Sequence, residues 1–213
     1  MTNFKKWGLL SFVVLSWGRS SAQSTPPQYS LLQQNIYVTN PAVAGLSGML
    51  EAVGVFRQQW LGLEGNPTTQ LFNATLPIPY LGGGTGVLLQ NDVIGARQSL
   101  TAKASFNKIF TVGNGQFSVG ASAGWLQMRL DGAKLRTPDG QYDGAAGINH
   151  RDQILGNQVV SGNSILLDAG VFFQNDRFSA GVSSQNLNAP TFDFVGTKAN
   201  FTLRRNYFAN FGY

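Results

Sequence analysis

The chain has 213 residues, with Lys+Arg 15, Asp+Glu 10, a single His and no Cys. Charged residues are 12%, against about 25% in ordinary soluble domains, and the 26 glycines exceed the usual share of roughly 7%. The missing cysteine excludes disulfide scaffolds, thiol enzymes, Cys-ligated zinc sites and iron–sulfur clusters, and the low charge with 12% aromatic residues excludes a disordered chain. In chain order, Lys5 and Lys6 precede the apolar run Trp7–Trp17, and small Ser20 and Ala22 follow it. A basic start, a short apolar run and a small-residue site form the layout of a cleavable signal peptide, so residues 1–22 read as a leader cut after Ala22. The run falls short of the ~20 residues that a membrane helix needs. Loss of Lys5, Lys6 and Arg19 lowers the net charge from +5 to +2, which removes the basic stripe a nucleic-acid partner would need. With no lipobox cysteine, the mature chain is not a lipoprotein.

Residues 23–47, rich in Gln, Asn and Pro, read as a periplasmic arm or as a plug. From residue 48 onward the apolar residues recur with period two, the mark of strands, and no stretch shows a helical period. Eight strands are predicted: Gly48–Trp60, Thr68–Leu76, Gly84–Asn91, Gln98–Phe110, Phe117–Trp125, Ser164–Gln174, Phe178–Gln185 and Arg205–Tyr213. Gly113-Asn114-Gly115 predicts a tight hairpin, and Gln174–Arg177 is also short. Arg129–Asn163 and Asn188–Arg204 are long. Short turns at one end and long loops at the other is the layout of an outer-membrane barrel. The Pro77–Gly83 connection, of middling length, fits that layout least well.

One strand face carries Gly, Ser, Asn and Gln with rare charges (Glu51, Arg57, Lys103, Asp168). Small polar residues suit a crowded lumen better than open solvent. The other face is apolar and tends to end in rings, such as Phe106, Phe110, Phe117, Trp125, Phe173 and Tyr213. Rings bordering an apolar band about 25 Å tall form the interfacial girdles of membrane barrels. The fold class expected is therefore all-β: an antiparallel transmembrane outer-membrane barrel over residues 48–213. A soluble β protein alternates in the same way, and a need for detergent in extraction distinguishes the two.

Four segments resemble a known family. Asn40-Pro41-Ala42-Val43-Ala44-Gly45 resembles an NPAxAG segment. Phe56–Gln70, with Arg57, Gln59, Trp60, Gly65 and Pro67, resembles an aromatic-R-x-Q-W-x-G-x-x-G-x-P-x-T-Q signature. Gly84–Gly95, with Asn91, Asp92 and Gly95, is similar to a G-x-G…N-D-x-x-G strand and loop. Arg205–Tyr213 resembles an R-x-Y-aromatic…G-Y strand. Their order matches the PorP/SprF family of type IX secretion system membrane proteins. The resemblance implies an outer-membrane barrel without enzymatic activity or cofactor. It implies assistance to export or surface anchoring of particular cargo, gliding adhesins among them, and contact with the periplasmic parts of the machinery. Members of that family usually continue for several more strands. The resemblance therefore favours an incomplete larger barrel with two unpaired edges over a closed barrel of eight strands.

The motif residues also have physical readings. Arg57 shares a face with Glu51, Val53 and Val55, and Arg facing lipid at the midplane would cost about 2–4 kcal/mol, so the lumen side is expected, within a charge network reaching Lys103. Trp60, where the first strand leaves the membrane, reads as an interfacial anchor. Gly62, Gly65 and Pro67 read as a tight loop, and Asn40-Pro41 as the start of a turn. His150 would have to join Ser161 or Ser164 to make an acyl-transfer site, and nothing in the spacing brings them together. Asp131-Gly132, Asp139-Gly140 and Asp143-Gly144 lack the spacing and closing Glu of an EF-hand and read as turns. Gly82–Gly86 is not a phosphate loop, since no Lys-Ser/Thr follows. An alternative function is a small passive pore, or an adhesion barrel acting through Arg129–Asn163.

Overall fold

The computed structural model describes residues 34–138, 140–142, 149–150, 157–193 and 200–213. The expected leader, Asp139 and Asp143 lie outside the described residues. The strands are β1 (Glu51–Gln58), β2 (Thr68–Ile78), β3 (Gly83–Ile94), β4 (Arg97–Val112), β5 (Gly115–Asp131), β6 (Val159–Gln174), β7 (Ser179–Gln185), β8 (Thr191–Asp193), β9 (Asn200–Thr202) and β10 (Asn206–Gly212). Eight of them form one sheet in the order β1-β2-β3-β4-β5-β6-β7-β10. All seven pairings are antiparallel, and each predicted strand overlaps one of the eight. The sheet is a half-barrel with β1 and β10 at its edges. No helix among the described residues is long and apolar enough to cross a membrane.

Three short connections share one end. Gly113 turns β4 into β5 with φ 61. Asn175 Oδ1 accepts from the backbone N–H of Arg177 and of Phe178, both at 2.9 Å, an Asx turn between β6 and β7. Pro79–Leu81 forms a single 3-10 turn, so the middling Pro77–Gly83 connection is short after all. The opposite end carries residues 59–67, the described parts of the β5–β6 connection and the connection holding β8 and β9. It also carries one tight turn, Gly95-Ala96, which length arguments did not anticipate. Residues 34–47 enter β1 from the short-turn end.

The alternation resolves into two unlike faces. Phe72, Val87, Leu89, Phe106, Val119, Trp125, Leu167 and Phe211 point outward and are exposed, while Asn73, Ser105, Asn107, Ser118, Ser122, Asp168 and Ser183 point inward and are buried. Near the short-turn end the register runs Phe110–Phe117–Phe173–Ala180–Phe211 across five strands, and the Phe173 and Phe178 rings lie 5.5 Å apart. That aromatic row borders the outward apolar band, as an interfacial girdle does. Ala121→Arg, mid-band on β5, is expected to cost about 2–4 kcal/mol, against about 0–1 for Val112→Arg, outward at the short-turn end of β4. Unfolding by urea in lipid vesicles measures the difference, and equal costs would contradict the outward assignment.

Strand β5 has 17 residues and β6 has 16, longer than expected and well beyond the ~9–11 that span a bilayer. The period-two pattern reverses phase after Trp125: the inward positions Leu126, Met128 and Leu130 become apolar and the outward ones, Gln127, Arg129 and Asp131, polar, so a strand read from one apolar face stops there. Leu126, Met128 and Leu166 turn inward and pack with Phe192 and Leu203 of the β7–β10 connection. The connection read as a plain long loop thus folds its β8–β9 hairpin onto the sheet.

Candidate functional site

Glycine and small polar side chains on the inner face leave a trough, and residues 36–46 fill its lower part. Two 3-10 turns shape this segment, Ile36–Val38 and Pro41–Val43. Asn40 starts the second: its Oδ1 accepts from Ala42 N–H at 3.0 Å, and its Nδ2 donates to the Val171 carbonyl at 3.1 Å. The wall holds the segment by its carbonyls. Asn107 Nδ2 donates to Ala42 and Ala44 at 2.6 and 2.8 Å. Ser183 Oγ donates to Thr39 and Gln185 Nε2 to Val38, both at 2.8 Å.

The floor of the trough requires glycine. A Cβ on Gly84 would meet the Ala44 carbonyl oxygen at 2.2 Å, one on Gly120 the Ala42 Cα at 2.6 Å, and one on Gly170 the Asn40 Oδ1 at 2.2 Å. Gly86 lies under the Tyr37 ring in the same way. Gly45, which ends the segment, needs φ +68, and a Cβ there would meet the Leu76 carbonyl oxygen at 2.9 Å, so glycine is dictated twice. Gly82–Gly86 thus serves as turn and floor.

Above the segment lies a buried ion pair. Lys103 Nζ is 2.6 Å from Asp168 Oδ2, with side-chain exposures of 12% and 4%. Ser122 Oγ donates to Asp168 Oδ2 and Asn186 N–H to Oδ1, each at 2.9 Å. Charges this buried need such partners on every side. Tyr37, Val38 and Pro41 close a small cavity against Lys103, Ser105, Ser122 and Asp168. Burial pushes the Tyr37 hydroxyl above its ordinary value; the Ser105 hydroxyl, 2.9 Å away, opposes the shift and the Asp168 charge adds to it. The phenol therefore stays neutral at physiological pH. Lys103 was expected in a network with Arg57. Its ion pair is with Asp168, because strand order sets β4 near β6 across the trough, while Arg57 shares its inner-face row with Thr69 and Asp92.

The remaining motif residues gather at the opposite end. Gln59 N–H donates to the Pro67 carbonyl, and Gly95 N–H to the Gly65 carbonyl, both at 2.9 Å. Buried Asp92 accepts from Thr69 Oγ1 at 2.6 Å and lies 3.9 Å from Arg97 Nη2. Asn91, on the outer face, accepts from Gln98 Nε2 at 3.0 Å. So Gln59, Trp60, Gly65, Pro67, Asn91, Asp92 and Gly95 form one rim of two joined turns, while Asn40, Pro41, Ala44 and Gly45 sit in the trough. The two groups are separated by the length of the strands.

Other candidate chemistry does not assemble. His150 Nδ1 lies 3.1 Å from the Tyr142 hydroxyl rather than against Ser161 or Ser164. Asp131 caps a turn, accepting from Ala133 N–H at 3.1 Å. Among the described residues no three His, Cys, Asp or Glu side chains group as metal ligands do.

Sequence reasoning did not single out Asn107, Ser183 and Gln185, which grip the segment. The signal available was the run of small residues on one face, Ser118, Gly120, Ser122 and Gly124, which marks a close approach without saying of what. Comparison with known proteins completes the picture. No curated protein and no solved structure matches the chain. Residues 21–213 match the family described as type IX secretion system membrane protein PorP/SprF. With nearly the whole chain matched, the protein belongs to the PorP/SprF family of type IX secretion system membrane proteins.

Proposed function

We propose that this chain acts in the outer membrane as a non-enzymatic component of the type IX system. It assists export or surface anchoring of specific cargo, such as gliding adhesins, through protein–protein contacts. In this reading residues 1–22 are the leader, residues 23–47 plug the lumen, and residues 48–213 form the membrane sheet. The partners are the secretion machinery in periplasm and outer membrane, the cargo and the lipid bilayer; no nucleic acid and no cofactor takes part.

The occupied interior carries the reading. A passive pore needs an open lumen, and here residues 36–46 fill one end of the trough while Phe192 and Leu203 are buried against the other. A sheet filled from both ends offers its surfaces and rims, not a channel. The test is deletion of the gene with complementation by the full chain. Loss of particular surface proteins, with intracellular accumulation of the same proteins, is expected. A change confined to small-solute permeability would contradict the proposal and favour a pore.

A further inference from the structure

The β1–β2 connection presents an apolar tip. Trp60, Leu61 and Leu63 are 67%, 78% and 63% exposed, and apolar side chains grouped like this mark interaction surfaces. The tip is held rather than loose. Leu63 N–H donates to the Trp60 carbonyl at 3.1 Å, and the Gln59–Pro67 and Gly95–Gly65 backbone bonds close its base. Trp60 holds φ 55, a left-handed conformation that bulky residues rarely adopt. The fold sustains that strain and keeps the ring outside, and fixed exposed rings are the usual anchors of protein interfaces.

Two observations say what covers the tip. A ladder of outward polar side chains, Gln70, Asn91 and Gln98, crosses β2, β3 and β4, linked at 3.5 and 3.0 Å. On β1, outward Phe56 stands level with Gln70, and the outward pair Gln58 and Thr68 lies between it and Trp60, so polar side chains separate the tip from the lipid-facing surface. The second observation is charge: residues 58–66 contain Glu64 and no Lys or Arg. An anionic headgroup layer repels such a tip, whereas a basic protein rim attracts it.

We propose that Trp60–Glu64 is a docking knob that seats Trp60 and Leu61 in an apolar cleft of another protein, with a Lys or Arg of that protein facing Glu64. The knob does not rest on the cargo reading: an export defect without a docking partner would overturn the knob alone.

The test places a benzophenone amino acid at Leu61 of the full chain in producing cells. The expected product is one discrete adduct with a different protein, whose attached peptide is apolar and bordered by Lys or Arg. Its yield is expected to fall about tenfold in Glu64→Arg and in Trp60→Gly. Glycine accepts the positive φ, so Trp60→Gly removes the ring without disturbing the turn. A lipid adduct, an adduct with a second copy of this chain, no adduct, or a yield unchanged by both substitutions would overturn the proposal.

Discussion

Asn107→Leu is expected to release the Asn40–Gly45 segment from the trough. Asn107 is 1% exposed and serves three backbone groups, donating to the Ala42 and Ala44 carbonyls and accepting from Gly84 N–H at 2.6 Å. Leucine keeps the branched shape and satisfies none of them. Each buried group left without a partner costs about 1–3 kcal/mol, so the three together give about 3–9 kcal/mol, reduced by whatever water enters the trough. Two measurements check it: the urea midpoint in lipid vesicles, and chymotrypsin cleavage at Tyr37, which burial protects in the native chain. Cleavage unchanged from the native chain would mean that the segment is held elsewhere.

Asp168→Ala is expected to cost about 3–5 kcal/mol, because it strands a buried cation. It also leaves Ser122 Oγ and Asn186 N–H without their acceptor. The charge-free pair Lys103→Met with Asp168→Leu is expected to recover most of that loss, since replacing both members of a buried pair is often neutral. A double-mutant cycle by equilibrium unfolding measures the coupling. A double variant no better than Asp168→Ala alone would show that the carboxylate acts through Asn186 rather than through Lys103.

The strands were legible because lipid and a crowded interior ask for opposite residues at alternate positions. Strand Phe117–Trp125 is the plainest case, with Phe117, Val119, Ala121, Ala123 and Trp125 set against Ser118, Gly120, Ser122 and Gly124. The signal was lost where that contrast changed sides, with Gln127 and Arg129 outward and Leu126 and Met128 inward. Past Trp125 the β8–β9 hairpin makes the inner face apolar, and its strands have 3 residues each, too few to show a period.

The trough was not legible for a different reason. The segment Asn40–Gly45 could be recognised as a motif, but its partners lie far away in the chain: Asn40 meets Val171 and Gln185 meets Val38 across separations of 131 and 147 residues. No local pattern reports such distances. Asp92 shows the same limit at shorter range, since its partner Thr69 becomes a neighbour only once β2 and β3 pair.

The lumen seat of residues 36–46, the outward apolar band and the exposed tip all depend on which face of the sheet meets lipid. Spin labels placed singly along β5, at positions 118, 119, 121, 122 and 123 of the full chain in vesicles, test that assignment directly. Labels replacing Val119, Ala121 and Ala123 are expected to be open to oxygen and closed to a water-soluble nickel complex. Labels replacing Ser118 and Ser122 are expected to be less open to oxygen than these and shielded by the seated segment. Water-accessible labels at Val119, Ala121 and Ala123 would contradict the account and mark the sheet as one that does not face lipid.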